Sequence, residues 1–221
     1  MDINKSNQKP VTSNQNLKNK RILITAGPTW VPIDSVRVIS NIATGETGII
    51  LAQKLRKAGC KVTLLLGPVG NYQNKKIRLL RFRFFEELKA ILKRELCRGR
   101  YDIVIHSAAV SDYKPKKSFR RKLVSSIKNL KIDLIPAEKI IDLIKRTDNS
   151  LFLAGFKFEP DINKEKLLAQ ARELMKRSAC DLVVANTLRG GRYSAYLVRS
   201  DKVQGPLYTK KKLAEQLIKN L

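Results

Sequence analysis

The residues between positions 22 and 48 have the types and the spacing needed to hold a phosphate group. A small-residue turn, Gly27-Pro28-Thr29, follows a short apolar run, and a loop that includes Thr44 and Gly45 precedes an amphipathic run. A strand, such a loop and a helix N-terminus bring backbone N–H groups and the positive end of a helix dipole towards an anion. Thr44 is also a candidate cap for that helix. The glycines alone are equally consistent with a plain connecting loop.

Polar residues between the two loops favour a binding site. The stretch holds Asp34, Arg37, Ser40 and Asn41, and it is too polar and too irregular to form core. Binding residues are found most often in such loops on a rigid α/β scaffold. The sequence therefore predicts that this stretch contributes side chains to a site.

Apolar runs alternate with helical patterns along the chain. This alternation predicts an α/β fold: a Rossmann-like, three-layer, doubly wound and mostly parallel sheet with a C-terminal β-hairpin and helix. The predicted strands are residues 21–25, 61–66, 77–82, 101–107, 131–135, 151–156 and 181–185. The predicted helices are residues 48–58, 85–96, 137–145 and 164–177. The hairpin is predicted at residues 195–199 and 204–208, and the last helix at about residues 210–221.

Small and polar segments follow four of the predicted strands. They are Gly27 to Thr29, Ala108 to Tyr113, Phe156 to Glu159, and Asn186. Ligands of parallel sheets bind beyond the carboxyl ends of the strands. We therefore expect the four segments to converge on one edge of the sheet.

The composition limits the class of protein. Residues 21–221 are enough for one domain with a sizeable core, and the polar residues 1–20 predict a disordered tail and not a signal peptide. No apolar run reaches the roughly 18 residues of a membrane helix, so no membrane partner is expected. Three scattered cysteines indicate reduced thiols and a cytoplasmic location. The one histidine, His106, lacks the neighbours of a metal site.

The net charge of +26, from 45 basic and 19 acidic residues, predicts an attractive field for anions such as nucleotides and phosphorylated metabolites. Nucleic acid is the alternative anion. Aromatic residues make up 6% of the chain, and we find no stacking signature of a single-strand binder. A specific nucleic-acid partner is therefore not expected, whereas weak binding at low salt is.

Several short sequence elements stand in order over about residues 21–221. The opening ones are ITAGPT at residues 24–29, PID at 32–34, VR at 36–37 and ISN at 39–41. The later ones are AAVSDY at residues 108–113, GFKFE at 155–159 and DLVVAN at 181–186. Together they resemble the phosphopantothenate–cysteine ligase domain, the synthetase half of the bifunctional coenzyme A biosynthesis flavoprotein. The flavin-dependent decarboxylase half does not precede these elements, so FMN is not expected.

The resemblance implies a ligase that works in two steps. The carboxylate of 4′-phosphopantothenate attacks the α-phosphate of CTP to give an acyl-cytidylate and pyrophosphate, and the amine of cysteine then displaces CMP. Mg²⁺ is expected with CTP. Both steps build negative charge on oxygens, which requires fixed N–H donors and cations. The family implies a homodimer with substrate contacts across the interface, and a separate phosphopantothenoylcysteine decarboxylase stays open as a partner.

The resemblance also implies roles for individual residues. Asn41 and Lys122 are the candidate catalytic residues, Asn41 in turnover of the acyl-nucleotide and Lys122 in neutralising phosphate charge as that intermediate forms. Arg37 and Ala109 are candidate binders of phosphopantothenate, and the metal ligands stay unknown. The candidate nucleotide-binding residues are Gly27, Thr29, Thr44, Gly45, Ala108, Asp112 and Phe156.

Blander roles stay open for some of these residues. Asn41 is also a residue type that is found in turns and helix caps. Arg37 could equally be a solvated surface charge, and Phe156 a core side chain. The register of Lys122 is open because Arg120 and Arg121 stand beside it.

Departures from the family pattern leave another function open. Val31 stands in place of a glutamate, Glu46-Thr47 in place of a lysine-methionine pair, and Leu174 and Ser178 in place of two lysines. These changes favour, as the alternative, a diverged relative that binds a nucleotide or a partner without turnover. A basic nucleic-acid-associated protein is the third hypothesis. A dinucleotide-dependent reductase is disfavoured because the first loop lacks G-x-G-x-x-G.

Overall fold

The computed structural model describes residues 17–99 and 101–221. Its elements, in chain order, are β1 (Arg21–Ala26), β2 (Trp30–Pro32), β3 (Val38–Ser40), α1 (Glu46–Lys57), β4 (Lys61–Leu66), β5 (Arg78–Arg81), α2 (Phe85–Cys97), β6 (Ile103–His106), β7 (Tyr113–Pro115), β8 (Leu134–Pro136), α3 (Ile140–Thr147), β9 (Phe152–Phe158), α4 (Lys164–Ser178), β10 (Leu182–Arg189), β11 (Arg192–Val198), β12 (Val203–Leu207) and α5 (Lys210–Lys219). An eight-stranded sheet has the order β12-β11-β10-β9-β6-β1-β4-β5. Strands β10 to β5 in this order pair in parallel. The predicted fold class is confirmed.

The apolar run of β1 is covered by helices on both faces. Leu23 packs in a cluster with α2, α3 and α4, whereas Ile22 and Ile24 pack in a second cluster with α1 and α5. Successive side chains of a strand point to opposite faces, so an uninterrupted apolar run suits a strand buried on both sides. The three layers leave the carboxyl ends of the parallel strands at one open edge.

Two short ribbons lie outside the central sheet. Strands β2 and β3 pair antiparallel, with Trp30 opposite Ser40, and the sequence did not predict them. The predicted sheet strand at residues 131–135 is wrong, because the extended residues there, Leu134–Pro136, pair with β7 in a separate ribbon. All three residues of β8 are exposed, which is incompatible with a place in a covered parallel sheet.

The predicted C-terminal hairpin is confirmed, with Leu197 of β11 opposite Gln204 of β12. Strand β11 begins earlier than predicted, because a second hairpin joins it to β10 through Gly190 and Gly191. These glycines have φ of 53° and 74°, a conformation that glycine adopts readily. Helix α5 then returns over the face that α1 covers.

The folded region includes Leu17. This side chain is buried beside α1, and the Leu17 carbonyl accepts a hydrogen bond from the Cys60 thiol at 3.3 Å. Residues 17–20, assigned to the tail from the sequence, therefore belong to the domain, and residues 1–16 lie outside the described part. Within the described part, no helix is long and apolar enough to cross a membrane.

Candidate active site

Two glycines shape the edge of the sheet beyond β1. Gly27 and Gly45 have φ of +81° and +69°, which is the left-handed region that favours glycine. A Cβ on Gly45 would lie 3.2 Å from the Gly27 nitrogen, and one on Gly48 would lie 2.4 Å from the Ala26 Cβ. The loop before α1 therefore packs directly on the turn after β1, as a phosphate-binding loop requires.

Helix α1 begins too late for Thr44 to cap it. Gly45 is the residue at the N-cap, and Thr44 Oγ1 accepts a hydrogen bond from the Glu46 nitrogen at 3.4 Å. The prediction of Thr44 as the helix cap is wrong, because the left-handed conformation of Gly45 sets the start of the helix. Glu46 forms an ion pair with Lys210 of α5 at 2.5 Å, so its charge is already partnered.

Backbone hydrogen bonds join the turn after β1 to the segment after β6. Ala109 N donates to the Gly27 carbonyl at 2.9 Å, and Thr29 N donates to the Ala109 carbonyl at 3.2 Å. Thr29 is fully buried, and its hydroxyl lies 3.1 Å from that of Ser111. The Thr29 side chain therefore holds two segments of the site together. Ser111 belongs to the AAVSDY element, but its residue type alone did not predict this supporting role.

Asn41 lies against the same segment. Its Nδ2 donates to the carbonyl oxygens of Ala109 and Val110, at 3.2 Å each. Asn41 is exposed, so its amide is accessible at the edge of the sheet. The structure thus brings together Asn41 and Ala109, which the sequence assigned to catalysis and to substrate binding.

A buried carboxylate connects Arg37 to the neighbour of Lys122. Asp34 accepts hydrogen bonds from Arg37 Nη1 at 2.7 Å and from the Leu123 nitrogen at 3.1 Å. Burial acts to raise the pKa of Asp34, but backbone N–H groups and the Arg37 guanidinium outweigh it and lower the pKa to about 2. Arg37 Nη1 also donates to the Leu123 carbonyl at 3.3 Å. Asp34 is therefore ionised at neutral pH and fixes both Arg37 and the backbone beside Lys122.

Lys122 lies in residues 116–133, which join β7 to β8 and are called the basic connection below. Its side chain is exposed, as are those of Arg120 and Arg121. The hydrogen bonds of Leu123 to Arg37 and Asp34 place the adjoining backbone of Lys122 next to Arg37.

Hydrogen bonds at the end of β6 fix Ala108. The Ala108 nitrogen donates to Thr25 Oγ1 at 3.3 Å, and that oxygen lies 2.9 Å from His106 Nδ1. Burial lowers the pKa of His106 to about 4, so the ring is neutral at pH 7. His106 is thus a buried neutral side chain that supports the loop of Ala108.

Two further predicted nucleotide-binding residues are Asp112, between β6 and β7, and Phe156, on β9. Asp112 is exposed and forms an ion pair with Lys139, which precedes α3. Phe156 is half-buried on β9 and packs against the cluster on the face of α1 and α5. Sequence reasoning missed Lys139 because no short motif joins it to Asp112.

Three of the residues that depart from the family pattern occupy core positions. Val31 and Leu174 are buried in the cluster on the face of α2, α3 and α4. Ser178 is also buried, and its hydroxyl donates to Asp142 of α3 at 2.6 Å. These α4 positions therefore face the protein interior and not the open edge.

Comparisons with known proteins agree with this arrangement. Residues 17–221 match the family model described as DNA/pantothenate metabolism flavoprotein C-terminal domain. The coenzyme A biosynthesis bifunctional protein CoaBC of Thermococcus kodakarensis is 35% identical over 92% of this chain and 51% of its own. That of Borreliella burgdorferi is 32% identical over 99% of this chain and 55% of its own. The chain thus spans about half the length of the curated relatives it matches.

A solved structure shows the same fold. The crystal structure of the DNA/pantothenate metabolism flavoprotein from Streptococcus pneumoniae matches with a TM-score of 0.80 and 27% identity, covering 91% of this chain and 97% of that one. Sequence and structure therefore agree over almost the whole described domain. The chain belongs to the DNA/pantothenate metabolism flavoprotein C-terminal domain family.

Proposed function

We propose that this chain joins 4′-phosphopantothenate to cysteine at the expense of CTP. The observation that carries the proposal is that Asn41 is bonded to Ala109, Ala109 to the turn at Gly27, and Gly45 packs on that turn, all at one edge of the sheet. Family membership supports it, since the matched relatives are named as bifunctional proteins of coenzyme A biosynthesis.

In the proposed first step, a carboxylate oxygen of 4′-phosphopantothenate attacks the α-phosphorus of CTP. The bond from that phosphorus to the bridging oxygen breaks, and pyrophosphate leaves with its electrons. Gly27, Gly45 and the start of α1 offer backbone N–H groups to the phosphates. Arg37, oriented by Asp34, binds the phosphate or carboxylate of the substrate. Lys122 neutralises the charge that grows on the phosphate oxygens.

In the proposed second step, the amine of cysteine attacks the acyl carbon and loses a proton. CMP leaves with the electrons of the broken C–O bond. The Nδ2 of Asn41 is held by two carbonyls, which leaves its Oδ1 to accept a hydrogen bond from the attacking amine. Ala108, Asp112 and Phe156 contact the cytidine part.

Magnesium enters this proposal with the triphosphate. Within residues 17–99 and 101–221, no group of three or more His, Cys, Asp and Glu side chains could hold a metal ion. Asp112, a carboxylate at the edge, is already paired with Lys139. The described residues therefore do not build a magnesium site of their own, and we derive no step through the metal.

A homodimer completes the proposed site. Large apolar side chains are exposed on the ribbons, just after β3 and on the basic connection: Val36, Val38, Ile42, Tyr113, Phe119, Val124, Ile127, Leu130, Leu134 and Ile135. A concentration of such side chains marks a protein interface. Ile42 directly follows Asn41, so a second copy of the chain on this surface brings its own residues next to the candidate active site.

A cytoplasmic location is part of the proposal. Cys60, Cys97 and Cys180 are free thiols, which supports a reducing compartment. A separate decarboxylase that accepts the cysteine adduct is the proposed partner for the next reaction.

The proposal is tested by two measurements on the purified chain. Pyrophosphate release from CTP should depend on added phosphopantothenate, and mass spectrometry should find the cysteine adduct only when cysteine is also present. The ligase assignment would be wrong if pyrophosphate release did not depend on phosphopantothenate, or if no pyrophosphate were released with either CTP or ATP.

A diverged relative without turnover is the second candidate. The buried positions of Leu174 and Ser178, where the family pattern has lysines, are the observation that favours it. Calorimetry distinguishes the two: such a relative binds CTP while producing neither pyrophosphate nor adduct.

A further inference from the structure

A second concave region lies at the opposite edge of the sheet from the candidate active site. Its cavity has a volume of about 890 Å³ and begins at the first residues of β1 and β4, Arg21 and Lys61. The candidate active site lies beyond the last residues of the same strands. At about 3.3 Å per residue, the six residues of β1 separate the two sites by roughly 16 Å.

Basic side chains dominate the lining of this cavity, which we call the basic pocket. Within the described part of the chain, its charged lining residues are one carboxylate, Glu95, and six cations: Arg21, Arg56, Lys61, Lys76, Arg78 and Arg98. They come from β1, α1, β4, the loop before β5, β5 itself and the end of α2. Cations from six parts of the chain that converge on one concavity form a focused positive field.

The one carboxylate is buried and fully occupied. Glu95 has a side chain that is 2% exposed, and it accepts hydrogen bonds from both terminal nitrogens of Arg78 and from the Tyr101 hydroxyl at 2.7 Å. The hydrogen bonds from Arg78 lower the pKa of Glu95 despite its burial. Arg98 Nη1 also donates to Glu95, at 3.3 Å. Glu95 thus fixes one wall of the pocket and pairs with two of the six cations, Arg78 and Arg98.

Helix termini account for Arg56 and give a second reason for Arg98. Arg56 lies in the last turn of α1 and Arg98 directly follows α2, where a positive charge complements the negative end of a helix dipole. That explanation does not cover the remaining cations, Arg21, Lys61 and Lys76. Among the described residues, the side chains of Lys61 and Lys76 have no ion-pair partner.

We propose that the basic pocket binds a compact polyanion that carries two or more linked phosphate groups. Its volume is in the range of small-ligand sites, roughly 300–1,000 Å³. A site for a nucleic-acid strand is instead typically an extended basic groove with several aromatic side chains on which bases stack. Tyr101 is the one aromatic lining residue, and Glu95 holds its hydroxyl. Pyrophosphate and the triphosphate of a nucleotide share the required chemistry.

Matched substitutions test this site with tripolyphosphate as the probe. The pocket variant is Lys61→Gln with Lys76→Gln, and the control is Lys57→Gln with Lys75→Gln, which removes exposed charges nearby in sequence that do not line the pocket. Calorimetry on the whole chain at two ionic strengths gives the dissociation constants. Both variants keep the opposite edge intact, so any tripolyphosphate bound in the candidate active site contributes equally to each.

The pocket variant should bind tripolyphosphate roughly 3- to 30-fold more weakly than the control, the loss expected from two exposed ionic contacts. The difference should shrink as salt rises, and amide signals of residues 59–63 and 76–78 should shift on titration of the wild type. If ATP and tripolyphosphate bind with equal affinity, the pocket recognises the phosphates alone. If ATP binds more tightly, the pocket also contacts the nucleoside. Equal losses in pocket and control variants would overturn the proposal, as would a loss confined to a single-stranded oligonucleotide.

Discussion

Asn41 and Arg37 are supported at the candidate active site in different ways. Asn41 is an exposed side chain held by two carbonyl oxygens at 3.2 Å, so a change there should leave the fold intact. Arg37 is held by the buried Asp34, which also binds the Leu123 backbone. Replacing Asn41 therefore tests chemistry, whereas replacing Asp34 tests the position of a whole segment.

The Asn41→Asp variant should separate the two half-reactions. A carboxylate cannot donate to the Ala109 and Val110 carbonyls, and it changes the group that meets the acyl-nucleotide. Because the two carbonyls repel the carboxylate, its oxygen is no longer held in place to accept from the attacking amine. We expect pyrophosphate release to continue while the yield of cysteine adduct falls by about 10²–10³, the usual loss for one fixed hydrogen-bonding group at a reacting centre. Normal adduct formation by the mutant would remove Asn41 from the mechanism.

The Lys122→Gln variant should slow the first half-reaction. If Lys122 stabilises charge on the phosphate oxygens, pyrophosphate release should fall by about 10²–10³. Arg121→Gln is the matched control, because Arg121 is the exposed neighbour in the same basic connection. A larger loss in Arg121→Gln, or in variants of Lys116 or Lys117, would show that the register of the catalytic cation is wrong.

At the scale of elements, the basic connection is tied to the turn between β2 and β3 through Asp34. The Asp34→Asn variant should loosen this tie, because it removes the charge that accepts from Arg37 and Leu123. We expect hydrogen exchange at the Leu123 amide to rise at least about tenfold, together with a higher KM for phosphopantothenate. Asp201→Asn, an exposed carboxylate after β11, serves as the control. Unchanged exchange at Leu123 would contradict this role of Asp34.

The elements differ in how far the sequence predicts them. Strands β1 and β4 are buried on both faces, so continuous apolar runs located them to within one residue. Strands β2 and β8 have three residues each, and β8 is exposed, so no periodicity marks them. The family resemblance assigned Asn41 and Ala109 to one site, whereas the bond from Leu123 to Asp34 spans 89 positions and no local pattern signals it.

At the scale of the whole molecule, a buried neutral histidine couples stability to pH. The pKa of His106 falls from 6.5 to about 4 on burial, so between these values the unfolded chain binds more protons than the folded one. The contribution of neutral His106 to the free energy of unfolding is therefore fully present above pH 6.5. It decreases as the pH falls towards 4, by about 3 kcal/mol in total. Urea unfolding across this range should show a loss that is larger by about 3 kcal/mol in the wild type than in His106→Gln. Carboxylates with lowered pKa values, such as Asp34, reduce stability at low pH equally in both proteins. Parallel curves for the two proteins would contradict this assignment.

The proposed dimer gives the last prediction at this scale. Ile42 is fully exposed beside Asn41, and burying a charge at an apolar interface costs the desolvation of that charge. Ile42→Asp should weaken the dimer at least about tenfold in sedimentation and lower adduct formation in parallel. Tyr208→Asp is the control, because Tyr208 is a 68% exposed side chain just before α5, away from the ribbons. A wild-type monomer with full activity would show that one chain completes the site alone.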